Sequence, residues 1–389
     1  MENETGFGSD YYIISQIENV EKIAKQKGLD LYSTPMIIGF DVQGPVVKLT
    51  DASFEPWSQI KSAILDFNRN KSIEKAIISG WDLKSLENFR DTNLGDLPIS
   101  IIGELGSIIN YENHIYEINP MKDTFEFYNM ELDIFKKAAE KGLKIAIQGN
   151  ASKNVNCFYF EGDGIERGDI RNHFLVKDTD ITTNDIYQSI ITSPFNTDNF
   201  EYNNNKDKIC FESTIENIEI IDYVLRQVYT LQSVRLAEEN ENKISIRRDN
   251  DDNINFTIDD MVTFSKEAIP DSWEIEPNSD YCIDVIHKNN GYRPTKETAA
   301  YELGKLRFGE QSFIITNIGD KKGDVLTGPN TIFFAQIGSP AENYCIDENL
   351  PYIPVVNAID YFHIMAQITN TTIKNRILSE IPQIQPIYV

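Results

Sequence analysis

Cysteine is scarce and scattered in this chain. The 389 residues hold four, Cys157, Cys210, Cys282 and Cys345, and the nearest two are 53 positions apart. No CxxC pair exists, which argues against a structural zinc site and against a small disulfide framework. Histidine is as sparse, and His114, His173, His287 and His363 suggest no histidine-rich metal site. Positive charge is also short: 36 Lys+Arg stand against 61 Asp+Glu, a formal net charge of -25. Such a surface repels phosphate backbones and anionic lipid heads, so neither nucleic acid nor a membrane surface is an expected partner. An apolar run of about 18 residues, enough to span a bilayer, is missing. Met1 to Asp10 is polar and acidic and carries no signal-peptide pattern, so the expected location is the cytoplasm.

What is present is an ordinary globular balance, 41% hydrophobic and 25% charged, in a chain long enough for two or three domains. The stretch with the clearest purpose is Met36-Ile37-Ile38-Gly39-Phe40-Asp41-Val42-Gln43-Gly44-Pro45. Its first five residues, bounded by Pro35, read as a fully buried parallel strand, although five apolar residues alone do not exclude a helical segment. Asp41 follows at once, and Gly44-Pro45 turns the chain. A carboxylate at the carboxyl end of a buried strand sits where open α/β sheets place their ligands, or it merely starts a turn.

Around that stretch the pattern alternates. A helix is expected over Ile13–Gly28 after a disordered start over residues 1–10, then one from Phe54 to Asn68 with Trp57, Ile60, Ile64 and Phe67 on one face. Val46 to Leu49 could form a short strand or flap. Ile73–Ser79 reads as a strand, Asp82 as the cap of a helix through Phe89, and Leu97–Gly103 as a strand ending in Glu104-Leu105-Gly106. Ile108–Ile118 reads as a hairpin turning near Asn113. Strand, helix, strand, helix, strand is the start of a doubly wound sheet.

The character changes near Met121. A long helix over Phe125–Gly142 is followed by strand-like pieces at Lys144–Gln148, Cys157–Glu161, His173–Lys177, Ile209, Lys243–Ile246, Asn255–Phe256, Trp273–Ile275 and Tyr281–Ile286. Helices are expected over Thr183–Ile191, Ile215–Leu236 and Ile258–Lys266. This is an inserted α+β block. The wound pattern then resumes: a helix over Thr295–Leu306 with Lys296 in its first turn, strands Phe313–Ile318 and Thr331–Gln336, and a helix over Val356–Ile368.

Asp41, Ser79, Lys296 and the pair Asp320/Asp324 thus all fall at strand ends or helix starts of one sheet. Each alone is an ordinary turn or a solvated lysine; their order gives them weight. That order resembles the haloacid dehalogenase (HAD) superfamily. There an apolar strand ends in DxDGT, here Asp41-Val42-Gln43-Gly44-Pro45. A second strand ends in Ser or Thr plus Gly, here Ser79-Gly80. A lysine begins a helix, here Lys296, and a GDxxxD step follows a later strand, here Gly319-Asp320 to Asp324. The Glu104-Leu105-Gly106 step resembles that of the Cof-type and sugar-phosphatase branch, which carries a large α/β cap where this chain has its inserted block.

The resemblance implies an α/β, HAD-type doubly wound core in two parts, residues 36–122 and 287–389, with a cap over 123–286 and an N-terminal extension and helix over 1–35. It also implies Mg²⁺-dependent hydrolysis of a small phosphorylated metabolite through an aspartyl-phosphate on Asp41. Asp41, Gln43, Ser79 and Lys296 would be catalytic, and Asp41, Gln43, Asp320 and Asp324 would hold Mg²⁺, a hard ion that prefers oxygen ligands.

Two departures matter. Gln43 stands where the family's phosphatases carry the aspartate that protonates the leaving group, and an amide exchanges no proton near neutral pH. Pro45 replaces the usual threonine. Asp41 to Pro45, with Asp51 to Glu55 after it, is similar to an archaeal HAD-like group linked to energy-converting hydrogenases, whose biochemical role is unclear. Three readings follow: a phosphatase in which Asp51, Glu55 or a cap residue moves the protons, a slow phosphotransferase, or a binding or accessory subunit within a protein complex. Arg167, Arg171, Arg247 and Arg248 are the cap's candidate anion contacts, or simply solvated arginines.

Overall fold

The apolar run bounded by Pro35 does form a strand. Met36–Phe40 (β1) is buried at all five positions and pairs in parallel on both edges. Alternate side chains of a strand face opposite ways. Accordingly Met36, Ile38 and Phe40 join one apolar cluster and Ile37 the other. The computed structural model describes residues 6–42, 44–45, 57–67, 72–81, 83–95, 97–118, 129, 132–133, 136–137, 139–140, 144–150, 155–162, 165–169, 174–176, 182–205, 208–212, 214–228, 234–236, 243–247, 258–279, 282–288 and 291–380.

On one side of β1 lie Ile73–Ile78 (β2) and Ser100–Gly103 (β3), both parallel to it, and then the antiparallel hairpin Ile108–Tyr111 (β4) and His114–Glu117 (β5). Glu112 and Asn113 both have positive φ at the hairpin tip, the geometry a two-residue turn needs to match the strands' twist. On the other side come Ile314–Gly319 (β6), Thr331–Gln336 (β7) and Ile353–Val355 (β8), all parallel. The sheet order is therefore β8-β7-β6-β1-β2-β3-β4-β5.

Helices cover both faces. Gly6–Gln26 (α1), Trp57–Phe67 (α2), Leu83–Asn93 (α3) and Ala358–Glu380 (α6) bury Val20, Ile64, Leu86, Tyr361 and Met365 on the side of Phe40. Lys296–Phe308 (α4) buries Ala299, Ala300 and Leu303 on the side of Ile37. Pro340–Asp347 (α5) buries Ala341 and Cys345 with Phe333 and Ala335 of β7. This is the expected α/β doubly wound core. The chain leaves β1 towards β2 and much later enters β6 on the opposite edge, so the winding reverses between β1 and β6. The crevice beyond the carboxyl ends of those two strands is where such sheets take ligands.

One phenol fastens the floor of that crevice. The Tyr361 hydroxyl donates to the Gly39 carbonyl at 2.8 Å and shares a hydrogen bond of 2.9 Å with Thr316 Oγ1, tying α6 to β1 and β6. Burial raises its pKa, so it stays a donor.

The chain divides into two compact units, Met1–Ile118 with Pro294–Val389, and Asn119–Arg293. In the second unit one sheet is built from Lys144–Asn150, Val155–Gly162, Ile165–Asp169, Phe174–Val176, Phe200–Asn203, Lys208–Phe211 and Val234–Leu236. A three-stranded sheet runs Lys243–Arg247, Cys282–His287, Trp273–Ser279. Every pairing in both sheets is antiparallel. The helices Thr183–Ile191, Ile215–Val228 and Ile258–Ala268 complete an α+β unit.

Some expectations change. The first helix begins at Gly6, inside the segment read as disordered. Helical spacing suggested one helix from Ile215 to Leu236, but it ends at Val228, and Val234–Leu236 is a strand paired with Phe174–Val176. A valine-arginine-leucine triplet fits a ladder as readily as a helix face, and a distant partner strand decides. The third strand starts at Ser100 rather than Leu97. The helix Pro340–Asp347 and β8 had gone unread, although Ser339-Pro340-Ala341-Glu342 is a clear helix start: Ser339 accepts from the Glu342 N–H and proline takes the first position. The expected strand at Asn255–Phe256, the flap at Val46–Leu49 and the cap residue Asp82 lie outside the described residues.

Candidate active site

Each site residue leaves an element of the core at the same edge. Asp41 follows β1 directly, its N–H bonded to the Ile318 carbonyl of β6 at 3.0 Å. Ser79 follows β2, its N–H bonded to the Ile102 carbonyl of β3 at 2.9 Å. Lys296 is the first residue of α4, behind a Thr295 cap in which the Thr295 and Thr298 hydroxyls each accept from the other's N–H. Asp320 follows β6, and Asp324 closes the short 3₁₀ turn Lys322–Asp324.

The chain brings these groups together. Asp41, Asp320 and Asp324 each present a carboxylate oxygen within 4.8 Å of the others. Asp41, Asp324, Lys296 and Ser79 are all buried. The Lys296 ammonium lies 3.4 Å from Asp41 Oδ1 and bonds Asp324 Oδ1 directly. The other oxygen of Asp324 accepts from the N–H groups of Asp320 at 3.1 Å and Lys321 at 2.9 Å, which fixes the loop that carries Asp320. The Ser79 hydroxyl lies near enough to Asp41 to pull its pKa down slightly. Gly44 has φ +101°, and a Cβ there would fall 2.1 Å from the Asp320 carboxyl. Only glycine lets the loop after Asp41 press on that acid.

The electrostatics are unbalanced. Burial pushes Asp41 up to about 6; Lys296 pulls it back and Asp324 pushes it further. Burial, then the charges of Asp324 and Asp41, push Asp320 up to about 7. Burial pulls Lys296 down, but Asp324 and Asp41 outweigh it and hold the ammonium above the ordinary lysine range. Asp320 Oδ1 is buried with no hydrogen-bond partner among the described residues. Three acids crowd one buried lysine, and one buried carboxylate oxygen has no hydrogen-bond partner among the described residues: the donor set and its charge suit a divalent cation.

Five of the six residues singled out from the sequence meet here. Gln43 lies outside the described residues, as do Asp51 and Glu55. Arg171 and Arg248 also lie outside them, while Arg167 and Arg247 stand on the strands Ile165–Asp169 and Lys243–Arg247 of the second unit. Lys321 had gone unnoticed; its charge lowers both Asp41 and Asp320. Only its place beside Asp320 could have marked it, since a lysine after a strand is usually solvated.

No family model matches the chain. No curated protein matches it either. Among solved structures it is similar to a HAD subclass IIB sugar phosphatase, 13% identical, covering 86% of this chain and 98% of that one, with a TM-score of 0.45. A phosphatase of the HAD enzyme superfamily from Bacteroides thetaiotaomicron is 12% identical, covering 86% and 95%, with a TM-score of 0.46. The sucrose-phosphatase of Synechocystis, in complex with sucrose and phosphate, is 13% identical, covering 86% and 98%, with a TM-score of 0.42. Among the described residues no helix is long and apolar enough to cross a membrane.

Proposed function

We propose that this chain is a HAD-type phosphoryl-transfer protein, a Mg²⁺-dependent phosphomonoesterase for a small phosphorylated metabolite that works through an aspartyl-phosphate on Asp41. One observation carries the reading: Asp41, Ser79, Lys296, Asp320 and Asp324, drawn from segments up to 283 positions apart, converge where the winding of the sheet reverses. The residues fit the cation. Asp41, Asp320 and Asp324 are hard oxygen ligands, with Gln43 as the fourth candidate. Bound there, the ion would neutralise carboxylate and phosphoryl charge.

The chain's own groups supply the rest. A carboxylate oxygen of Asp41 attacks phosphorus, and the bond from phosphorus to the ester oxygen breaks. The Lys296 ammonium, facing Asp41, offsets the charge that gathers there, and the Ser79 hydroxyl is placed to donate to a phosphoryl oxygen. Water then opens the acyl phosphate, which frees phosphate and restores Asp41. The inserted block over 123–286 acts as the cap that selects the substrate and excludes water.

The departing oxygen must gain a proton, and Gln43 carries none to give. That substitution supports a second reading, in which turnover is slow or absent and the protein serves as a phosphotransferase or as an accessory subunit in a complex. A panel of phosphate esters with Mg²⁺ separates the two. Phosphate release above an Asp41→Ala control supports the phosphatase, and no release across the panel removes it.

A further inference from the structure

The approach of one turn to the start of α4 shows what sets the position of Lys296. After β3 the chain makes three successive residues with positive φ: Glu104 at 51°, Leu105 at 58° and Gly106 at 101°. Non-glycine residues rarely adopt this region, and two in succession are held only where the surroundings demand it. Here the surroundings are buried on all sides: Glu104, Leu105 and Gly106 are all interior. The turn is anchored from behind, since the Glu104 N–H bonds the Trp81 carbonyl at 2.9 Å, two residues beyond Ser79. Its forward face meets α4. A Cβ on Gly106 would lie 2.2 Å from the Thr295 carbonyl oxygen and 2.9 Å from the Lys296 nitrogen. Backbone therefore touches backbone at the residue that carries the ammonium.

We propose that Gly106 is a positioning residue: its missing side chain lets the Glu104–Gly106 turn seat the first residue of α4, and so places the Lys296 ammonium over the phosphoryl site. This rests on the function proposed above. The Asp320–Asp324 loop approaches from β6 and has its own hydrogen bonds, so the seam at Gly106 sets the ammonium directly and reaches the carboxylates only through the ion pairs of Lys296 with Asp324 and Asp41. Adding a Cβ should therefore separate two properties that a general loss of structure would lower together.

A control lies at the other end of the same helix. Gly309 caps α4 with φ +64°, and a Cβ there meets nothing within 4 Å. Gly309→Ala strains the helix end without pushing on its start. The full-length protein is titrated with Mg²⁺ alone, and then with beryllium fluoride in the presence of Mg²⁺, both by calorimetry, and its melting point is recorded. Gly106→Ala should leave the Mg²⁺ affinity equal or tighter, since an ammonium drawn back from Asp324 competes less with the ion, and weaken beryllium fluoride at least tenfold. Gly309→Ala should lower the melting point and leave both affinities as in the wild type.

If Gly106→Ala does not fold, Leu105→Gly loosens the same turn without adding an atom at the seam, and should weaken beryllium fluoride severalfold with Mg²⁺ binding no weaker. Equal beryllium fluoride affinities in the wild type and the turn variant, or parallel losses of Mg²⁺ and beryllium fluoride, overturn the inference. A wild type that binds no beryllium fluoride overturns the functional reading and this inference with it.

Discussion

The two ends of the eight-stranded sheet treat buried charge in opposite ways. At the amino end, β2 and β3 open onto a cleft of about 650 Å³ lined by Glu74, Lys75, Arg90, Ser100, Tyr111 and Arg307 among others. There the central acid is answered on both oxygens. Ser100 donates to Glu74 Oε1 at 2.8 Å, and Arg307 lies 3.1 Å from Oε2. Burial raises Glu74, and Ser100, Arg307 and Lys75 pull it back. At the carboxyl end, three acids share one buried lysine, two of them are pushed up to about 6 and about 7, and one oxygen has no hydrogen-bond partner among the described residues. The same elements, β2, β3 and α4, reach both ends. At the amino end the acid has a partner on each oxygen; at the carboxyl end the acids outnumber the cation that faces them.

Four measurements sharpen or break that contrast. The largest effect is expected from Gln43→Asp. If the carboxyl end is a phosphoryl-transfer site short of a proton carrier, this change should raise ester hydrolysis by on the order of 10² to 10⁴. No gain would mean that the site lacks more than a proton. Next is Lys296→Ala, which leaves the acids facing one another. Chemical denaturation of the metal-free protein should show a loss of about 3–5 kcal/mol.

Third is metal addition. At a hundredfold excess over its dissociation constant, Mg²⁺ should stabilise the wild type by about 2.7 kcal/mol near neutral pH. The gain should shrink towards pH 5, where protons compete at Asp41 and Asp320. Calorimetric melts in Mg²⁺ across that range check both parts. A Glu74→Ala variant, altered at the amino end, should lose stability and still respond to Mg²⁺ as the wild type does.

The smallest effect has the most telling sign. Asp41 and Asp320 have folded pKa values of about 6 and about 7, raised from 3.8. The folded state therefore holds extra protons, and these two groups favour folding below about pH 4 and lose that contribution as pH rises to about 7. Asp320→Asn removes one of the raised acids. Without metal it should be more stable than the wild type at pH 7.5, by on the order of 1 kcal/mol, and the advantage should vanish by pH 4. A variant less stable at pH 7.5 would show that the carboxylate is already satisfied.

Much of the core was legible because its signals are local. Met36–Phe40 and Thr331–Gln336 are short apolar runs closed by turn residues, and both are strands where the pattern put them. The convergence of Asp41, Ser79, Lys296, Asp320 and Asp324 was legible only through their order at strand ends; no single one of them stands out. What stayed hidden depends on distant partners. Val234–Leu236 is a strand because Phe174–Val176 lies beside it. The seat of Lys296 depends on a glycine 190 positions earlier that reads, in isolation, as one more turn.

The central position of β1 has a consequence for how the molecule comes into being. Its partner on one edge, β6, lies 278 positions further along, with Met36 opposite Ile314. Until that late segment has been synthesised, the middle of the sheet has a bare hydrogen-bonding edge, and an open strand edge invites pairing with other chains. Closing so distant a pair is also intrinsically slow. The rim where the acids gather and the seam that completes folding are thus the same line in the molecule, and a ribosome halted before residue 314 would release a chain lacking both.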